Sequence, residues 1–584
     1  MKTRNSWRNI WLIFFFTSLI WSFQQAGIFQ KNLINQGGWN LVISFLVAAT
    51  HPEISPEFLL LTLDATIKTL AYAVCGTFFS VFIGSIGGLF SSEVWWQSIL
   101  ANHFGKITTP WLLVRGLLAI PRAIHELIWG LFFLNIFGLD PLVGILAIAI
   151  PFGTITAKVF SEILDETPRQ PLNALLNSGA TPLNAFAYSL IPQAFLNLLS
   201  YSFYRFECSI RSAAVLGIIG AGGLGYQIRL SLESLRYEQV WTLLVALIFL
   251  TGTTDFWSGL LRRRLGAPSR LDLNAPNKIR KLQKSGIGKS RIKTESKKDL
   301  TSTFARGLMT QTNLQSHNAK FDPILQLSFL GGIILLIFCF WYIQADFTKL
   351  WSSRTAKLLA NIVKDAFPPD ISQLEQMFTL SCQTLAMSIL AITIAGVGGI
   401  FLSFPAANNF LLPGGIFDTN NNRWGVAVLF LSRLLLLITR ATPEPILALL
   451  LMFVLFPGIL PGAIALGLHN LGILGRLMAE VTENLDQRPL RSLKSLGATT
   501  PQIFLYGVLP STMPRFLAYI LYRWEVCIRG TVIVGIVGAG GLGRLLTEQL
   551  SSFDYSGVLT TLFVFICLTF LVDLISAAVR RCLR

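Results

Sequence analysis

Charged residues are scarce in this chain of 584 residues: Asp, Glu, Lys and Arg together make up 13% of it, and hydrophobic residues make up 53%. A soluble globular protein carries about twice that charged fraction. Apolar runs of roughly 20 residues recur along the sequence, and each is long enough to cross a hydrocarbon core. The composition excludes an enzyme with a water-facing surface and predicts a polytopic α-helical membrane protein.

Metal-ligand and catalytic motifs are also missing. The seven cysteines form no C-x-x-C pair, so neither a disulfide framework nor a zinc site is indicated. Only two of the five histidines, His125 and His469, fall in apolar segments, and they occupy different positions in the internal repeat described below. We expect both to pack between helices or line a cavity, and we expect no metal site and no catalytic residue.

A signal-peptide cleavage site is absent after the apolar run near the N-terminus, where Trp21 and Phe23 stand in place of small residues. The run is therefore interpreted as a retained first helix, with its basic flank inside the cell. Positive charge is concentrated in residues 262–322, which hold fifteen Lys/Arg against four Asp/Glu. This polar, basic segment is predicted to be a flexible cytoplasmic linker.

Two copies of one unit make up the chain. Residues 205–225 read RFECSIRSAAVLGIIGAGGLG and residues 523–543 read RWEVCIRGTVIVGIVGAGGLG, 318 positions later. The same offset relates Arg122 to Arg440, so the halves keep one register over more than a hundred residues. Each half has about six apolar runs. We therefore predict an all-α membrane protein of about 12 transmembrane helices, with a first repeat at 1–261 and a second at 323–584.

The helical run at 109–138 exceeds one membrane thickness, and Pro121 within it is expected to kink or break the helix. An even number of spans in each half places both termini in the cytoplasm. It also makes the repeat parallel, with a pseudo-two-fold axis.

Arginine and glutamate lie four residues apart at two places in each repeat, inside apolar segments. Because such residues are neighbours on a helix, each couple is expected to pair along its own helix. Intramembrane charges are costly and survive where they pair or face a cavity. Two interpretations stay open: ion pairs that lock the helix bundle, or arginines along a pore that attract an anion. The candidate pathway residues are Arg122, Glu126, Glu207, Arg211, Arg440, Glu444, Glu525 and Arg529, with Arg205 and Arg523 adding positive charge.

A G-x-G-x-x-G pattern occurs once in each repeat. A dinucleotide site needs a preceding strand and a following helix, whereas both patterns close a membrane span. We interpret these glycines as tight helix packing and a turn beside a pore, and we exclude ATP binding on this chain. They are Gly220, Gly222, Gly223 and Gly225 in the first repeat and Gly538, Gly540, Gly541 and Gly543 in the second.

Two loops on the cytoplasmic side share a second pattern, PLNALLNSGATPLNAFAYSLIP at 171–192 and PLRSLKSLGATTPQIFLYGVLP at 489–510. In each, a short amphipathic helix precedes a glycine that allows a sharp turn, and a proline opens the next membrane helix. A short helix presented between two spans is suited to insert into a groove on a partner. The turn residues are Asn177, Ser178, Gly179 and Ala180, and Ser495, Leu496, Gly497 and Ala498.

These loops resemble the coupling-helix signature of binding-protein-dependent ABC importer permeases of the MetI-like type. The pattern departs from that signature at its glutamate, replaced by Asn173 and Arg491. The segment at 205–225, with the stretches beginning at Arg122 and Arg440, is similar to the phosphonate-uptake permeases, in which a single copy forms a homodimer. The resemblance implies two such six-helix domains fused in one chain.

The resemblance implies a permease in a bacterial cytoplasmic membrane that imports phosphonates, phosphite or phosphate esters. It further implies two copies of a cytoplasmic ATPase that bind the cofactor ATP, and an external solute-binding protein. The main alternative is a secondary transporter or channel for small anions, in which the buried carboxylates relay protons. A membrane enzyme is a distant third possibility, since no nucleophile, metal set or cofactor motif is in place.

Overall fold

The computed structural model describes residues 2–28, 35, 37–100, 109–265, 323–412 and 422–583. Within these ranges the chain forms helices and no β-strand. In the first repeat the α-helices are α1 Lys2–Gln25, α2 Gly38–Ala48, α3 Pro56–Ser91, α4 Glu93–Leu100, α5 Thr109–Ala123, α6 Glu126–Phe137, α7 Pro141–Glu166, α8 Gln170–Asn177, α9 Pro182–Ala185, α10 Ile191–Leu216, α11 Gly223–Glu233 and α12 Tyr237–Arg264.

The second repeat has the same order of elements, with one short 3₁₀ turn at Phe347–Trp351. Its α-helices are α13 Pro323–Ile343, α14 Ser353–Ala366, α15 Leu374–Ser403, α16 Asn408–Leu411, α17 Asn422–Ala441, α18 Glu444–Val454, α19 Ile459–Glu483, α20 Arg488–Ser495, α21 Thr500–Ile503, α22 Leu509–Val534, α23 Gly541–Ser551 and α24 Tyr555–Leu583.

Eight of the described helices are long and apolar enough to span a membrane, and eleven if each of three bent helix pairs counts as one span. The predicted fold class, an all-α membrane protein with duplicated helical domains, is therefore confirmed. Of the predicted linker, residues 262–264 belong to the last turn of α12, whereas residues 266–322 lie outside the described ranges. The linker and the repeat boundaries remain predictions.

The predicted break at Pro121 is present. Helix α5 ends at Ala123, and α6 starts at Glu126 at an angle of 83° to it. Proline lacks an N–H group and its ring clashes with the preceding turn, so the helix cannot continue undisturbed through it. His125 then caps the new helix, because its Nδ1 accepts a hydrogen bond from the Leu127 amide at 3.3 Å.

The first helix of each repeat packs against the other repeat. Helix α1 contacts α15 and α24 of the second repeat, and α13 contacts α3 of the first. Leu19 and Trp21 of α1 lie on the apolar core of the second repeat. In the reciprocal contact, Cys339 of α13 is buried in the core of the first repeat, which also contains Cys75. The repeats have therefore exchanged their first helices.

A polar contact also joins the repeats beside the N-terminal end of α7. Lys349, in the 3₁₀ turn of the second repeat, forms an ion pair with Asp140, whose carboxylate also caps α7 by accepting from the Leu142 amide at 2.8 Å. This hydrogen bond to Asp140 raises the pKa of the Lys349 amine. The ion pair thus joins the second repeat to the start of α7 in the first repeat.

Candidate functional site

The bend at Pro121 separates Arg122 from Glu126, so they do not form the predicted couple along one helix. Arg122 lies in the last turn of α5 and Glu126 is the first residue of α6. Residues four apart are neighbours only on an uninterrupted helix, and that condition fails here. Glu126 instead accepts a hydrogen bond from Ser212 Oγ at 2.7 Å and lies 3.2 Å from His125 Nε2.

Glu444, the counterpart of Glu126, also contacts a histidine, although from a different part of the chain. His469 of α19 places Nε2 3.3 Å from Glu444 Oε1, and its Nδ1 lies 3.1 Å from the Thr442 carbonyl oxygen. Each repeat thus has one glutamate–histidine contact, although the two histidines are not aligned in the sequence.

Glu207 and Glu525 pair with the last helix of their own repeat. Glu207 Oε1 lies 3.1 Å from Arg262 Nη2, and its side chain is only 2% exposed. Glu525 pairs in the same way with Arg580, 318 residues after Arg262. A buried carboxylate requires a compensating charge, and here the charge comes from α12 or α24. These two contacts fasten α10 and α22 to the ends of the repeats.

Arg211 and Arg529 are therefore not held by the glutamates four residues before them, and that part of the pairing prediction is wrong. Arg211 Nη2 donates to Cys208 Sγ at 3.4 Å. Arg529 Nε donates to the main-chain oxygen of Glu525 at 3.1 Å, whereas the Glu525 carboxylate is engaged by Arg580. Helical spacing alone could not reveal this, because it does not show which neighbouring helix competes for each carboxylate.

An ion pair that the sequence did not predict crosses between the repeats. Arg440, at the end of α17, pairs with Asp255 of α12, and each side chain is 16% exposed. The corresponding residue in the second repeat is Asp573 of α24. The sequence did contain a signal for this ion pair, because an aspartate stands at the same place in the last apolar run of both repeats, 318 residues apart.

Arg205 and Arg523, also at equivalent positions, have different surroundings. Arg205 is buried, with its guanidinium carbon 4.6 Å from the centroid of the Phe152 ring and a hydrogen bond to the Tyr201 hydroxyl. Arg523 Nε instead donates to Asn470 Oδ1 at 2.5 Å. Phe152 and Asn470 occupy equivalent positions, so this single difference replaces an aromatic face with an amide.

The predicted turn glycines of the loops at 171–192 and 489–510 adopt the left-handed backbone conformation. Gly179 has φ +85° and Gly497 has φ +82°. At the first of them, the Ala180 amide donates to Leu175 O and the Gly179 amide to Leu176 O, both at 3.1 Å. This is a Schellman arrangement, which ends a helix and favours glycine at this position. The second loop repeats it, so the sharp turn expected from the sequence is present twice.

The loop helices are anchored on one side and exposed on the other. Leu172 of α8 and Leu490 of α20, at equivalent positions, are buried against the membrane domain. Tyr188 and Tyr506 occupy equivalent positions in the two repeats and are 79% and 76% exposed. Exposed aromatic rings are typical of surfaces that bind a partner protein.

Pro192 and Pro510 stand at the second residue of α10 and α22, as predicted, but helical turns precede them. The segments Phe186–Leu190 and Phe504–Val508 are π-turns that join α9 to α10 and α21 to α22. A wide turn accommodates proline, because it relieves the clash between the ring and the carbonyl one turn earlier. The short helices α9 and α21, which follow the glycine turns, are thus continuous with the membrane helices that carry Arg211 and Arg529.

The glycine patterns form bends rather than a nucleotide site. Helices α10 and α11 meet at 56°, and α22 and α23 meet at 68°. The amide of Leu224 donates to Thr69 Oγ1 at 2.9 Å, and Leu542 does the same to Thr384. A Cβ atom on Gly225 would lie 1.8 Å from the Ala214 carbonyl oxygen. Close backbone packing therefore requires glycine here, whereas a gating role remains a proposal.

Comparison with known proteins places these features in a family. Residues 98–267 and 412–584 match "Binding-protein-dependent transport system inner membrane component". The phosphate-import permease protein PhnE of Mycolicibacterium smegmatis is 25% identical over 486 residues, which are 82% of this chain and 80% of that protein. The phosphite transport system permease protein PtxC of Stutzerimonas stutzeri is 35% identical over 257 residues, 44% of this chain and 88% of that protein.

A shorter relative matches as well. The putative cryptic phosphonate transport system permease protein PhnE2 of Escherichia coli is 35% identical over 118 residues, which are 20% of this chain and 97% of that protein. The family match falls once in each repeat, as expected for a duplicated unit.

Proposed function

The chain belongs to the binding-protein-dependent transport system inner membrane components, and on that premise we propose that it forms the pore of an ATP-driven importer for phosphonates, phosphite or phosphate esters. Its relatives are transport permeases, so the chain is a permease and not an enzyme. The printed names of those relatives, which mention phosphate, phosphite and phosphonate, support a phosphorus oxyanion as substrate.

The observation that carries the proposal is the arrangement of arginines between the repeats. Arg440 of the second repeat pairs with Asp255 of the first. Arg122, Arg211 and Arg529 are each partly buried among the helices. Moving a hydrated anion through hydrocarbon requires compensating positive charge along a cavity. The planar fork of a guanidinium group also matches phosphoryl oxygens, which it binds in a bidentate manner.

Glu126 and Glu444 are assigned to the same pathway, where their histidine contacts keep them from neutralising the arginines. Glu207 and Glu525 are assigned a bracing role at its edge, because Arg262 and Arg580 occupy their carboxylates. The sequence left open whether the charged residues lock the helix bundle or line a pore. For Glu207 and Glu525 the first interpretation, ion pairs that lock the bundle, fits. A pore role is proposed for the arginines.

Two copies of a cytoplasmic ATPase are proposed to bind the two loop helices, α8 and α20. ATP binding would draw these helices together and open the cavity outward, and hydrolysis would return it inward. The continuity of α9 with α10 and of α21 with α22 supports this coupling, because a movement of a loop passes directly to Arg211 or Arg529. A solute-binding protein would deliver the anion at the outer face, and both termini would lie in the cytoplasm.

Copurification and reconstitution test the proposal. The tagged chain is isolated from its native membrane, and the proteins that accompany it are identified. Proteoliposomes of the complex are then assayed for uptake of labelled phosphite and methylphosphonate, with ATP or a non-hydrolysable analogue. We expect uptake only with hydrolysable ATP and the binding protein. Sulfate serves as the control anion.

A secondary transporter or channel is the competing function, and the Glu126–His125 and Glu444–His469 contacts favour it. Carboxylate–imidazole pairs inside a membrane can carry protons. Uptake at an undiminished rate without ATP, driven by a proton gradient, would establish this alternative and reject the ATP-driven importer.

A further inference from the structure

An open apolar groove lies on the surface where the two repeats meet. It is lined by α12 of the first repeat and by α13 and α17 of the second, and its volume is about 870 Å³. Along α12 the lining residues extend from Val245 to Leu260, a stretch that is about 22 Å long at the rise of an α-helix. The groove is therefore large enough for a long, narrow ligand.

The lining offers an occupant few hydrogen-bonding groups. Of the twelve described residues that form it, none is charged, and only Thr253, Trp257 and Ser328 carry a polar side-chain atom. The Thr253 hydroxyl already donates to the Phe249 carbonyl oxygen of its own helix at 2.9 Å. A hydrated anion would lose its water in such a lining without gaining a partner. The groove thus suits an apolar occupant and is distinct from the pathway proposed for the oxyanion.

The groove opens to the hydrocarbon that surrounds the bundle. Phe249, Phe256 and Leu327 line it and are 70%, 75% and 71% exposed. Helices α12 and α13, which carry them, are both long and apolar enough to span a membrane, and the exposed apolar side chains of such spans contact lipid tails. One leaflet makes up half of a hydrocarbon core that is about 30 Å thick. The groove can therefore hold an acyl chain of one leaflet along its whole length.

One end of the groove lies at a membrane surface. Leu260 is one turn from Arg264, the exposed last residue of α12, and α13 contributes Ile324 and Leu327 from its first two turns. Basic side chains at the ends of membrane spans reach into the headgroup region, where they attract lipid phosphates. An acyl chain in the groove would therefore leave its headgroup close to Arg264.

The groove also adjoins the contact between α12 and α17. Leu437 of α17 is part of the lining, and a Cβ atom on Gly252 of α12 would lie 3.8 Å from the Cδ2 atom of that leucine. Three residues further along each helix, Asp255 and Arg440 form the ion pair between the repeats. An acyl chain in the groove would thus pack against both repeats, beside the charged contact that joins them.

We propose that a phospholipid occupies this groove, with one acyl chain packed between α12, α13 and α17 and its headgroup beside Arg264. The acyl chain fills space between the repeats and adds dispersion contacts to both, so it stabilises the contact between α12 and α17. The inference rests on the membrane-spanning helices and not on the transported solute or the ATPase. It can therefore fail without the proposed function, and the proposed function can fail without it.

Lipid retention by the purified full chain in a mild detergent tests the inference. The chain is delipidated, incubated with phosphatidylglycerol, washed with detergent and analysed by native mass spectrometry, which resolves chains that carry no lipid, one lipid or more. We expect the unaltered chain to retain one lipid under washes that remove the rest. Gly252→Leu directs a side chain into the groove and should reduce that retention severalfold. Leucine forms helix better than glycine, and its Cβ atom makes an ordinary contact with Leu437, so the fold should persist.

Two further variants make the result specific to the groove. Ser328→Phe fills the groove from α13 and should reduce retention as Gly252→Leu does. Gly116→Leu is the matched control and should retain lipid normally, because Gly116 lies on α5 outside the lining, where a Cβ atom would have no described atom within 4 Å. Thermal unfolding is measured for each chain. Added phosphatidylglycerol should raise the Tm of the unaltered chain and of Gly116→Leu more than that of the two filled variants.

Three results would overturn the inference. Folded Gly252→Leu or Ser328→Phe chains that retain lipid like the unaltered chain would show that the acyl chain does not lie in the groove; if one of these variants unfolds, the other decides. An equal loss of retention in Gly116→Leu would show that lipid binds to the apolar surface in general. An unaltered chain that retains no phosphatidylglycerol after washing would exclude a bound lipid.

Discussion

Neutralising Glu207 should destabilise the protein far more than neutralising an exposed glutamate. The Glu207 side chain is 2% exposed, its partner Arg262 is 12% exposed, and the charged atoms lie 3.1 Å apart. At an effective dielectric constant of about 20, that distance corresponds to an attraction of about 5 kcal/mol before desolvation. Glu207→Gln keeps the size of the side chain but removes the carboxylate charge that faces Arg262. Removing one partner of a buried pair costs about 3–5 kcal/mol.

The measurement is the free energy of unfolding of the purified chain, obtained by denaturant titration in a mild detergent and followed by helical circular dichroism. Glu233→Gln is the matched control, because Glu233 forms an ion pair with Arg229 at 2.7 Å but both side chains are about half exposed. Exposed i,i+4 pairs contribute about 0.3–0.5 kcal/mol.

The double variant Glu207→Gln/Arg262→Gln should recover much of the loss, because it leaves no buried charge unpaired. Equal losses for Glu207→Gln and Glu233→Gln would refute the reasoning. The reasoning would also be refuted if the losses of unfolding free energy caused by Glu207→Gln and by Arg262→Gln simply added in the double variant. Additive losses would show that the two residues do not act as a pair.

Three further predictions concern the loops and the arginines. Gly179→Val and Gly497→Val should each reduce ATP-dependent uptake severalfold. A β-branched residue is disfavoured at positive φ by about 1–2 kcal/mol, so the valine should distort the end of the loop helix. Normal uptake by both variants would exclude a role of these turns in coupling. Arg211→Ala and Arg529→Ala should abolish uptake while the complex remains assembled in size-exclusion chromatography; transport by both variants would remove the pore role. Tyr506→Asp should reduce the amount of ATPase that copurifies with the chain, and Tyr522→Asp is a control outside the loops. Equal amounts of copurified ATPase in the two variants would contradict the proposal that the loop surface binds the ATPase.

Sequence patterns predicted the local features of this fold well. A glycine just after a short amphipathic helix, as at Gly179 and Gly497, predicts a Schellman turn at the end of that helix. Other residues adopt the left-handed backbone conformation only at a cost in free energy. The Pro121 break was predictable for a similar reason. These features depend on the covalent geometry of a few neighbouring residues, and the glycine turn occurs at the same place in both repeats.

Contacts between helices could not be predicted in the same way. The spacing of Glu207 and Arg211 shows that they can meet on one helix, but it says nothing of Arg262, which lies much farther along the chain and is a closer partner. His469 reaches Glu444 although the position aligned with it in the first repeat is a proline, so the repeat concealed that contact. Asp255 and Asp573 were visible as a repeated pair, yet their significance depends on which arginine faces each of them.

The exchange of first helices makes the two halves mutually dependent. To separate them, α1 must leave its place on α15 and α13 must leave its place on α3, so dissociation breaks close helix–helix packing on both sides. Cutting the backbone between residues 266 and 322 should therefore release no half on its own. The peptide connection fixes a one-to-one ratio of the halves during synthesis, whereas the crossed helices keep the finished transporter together.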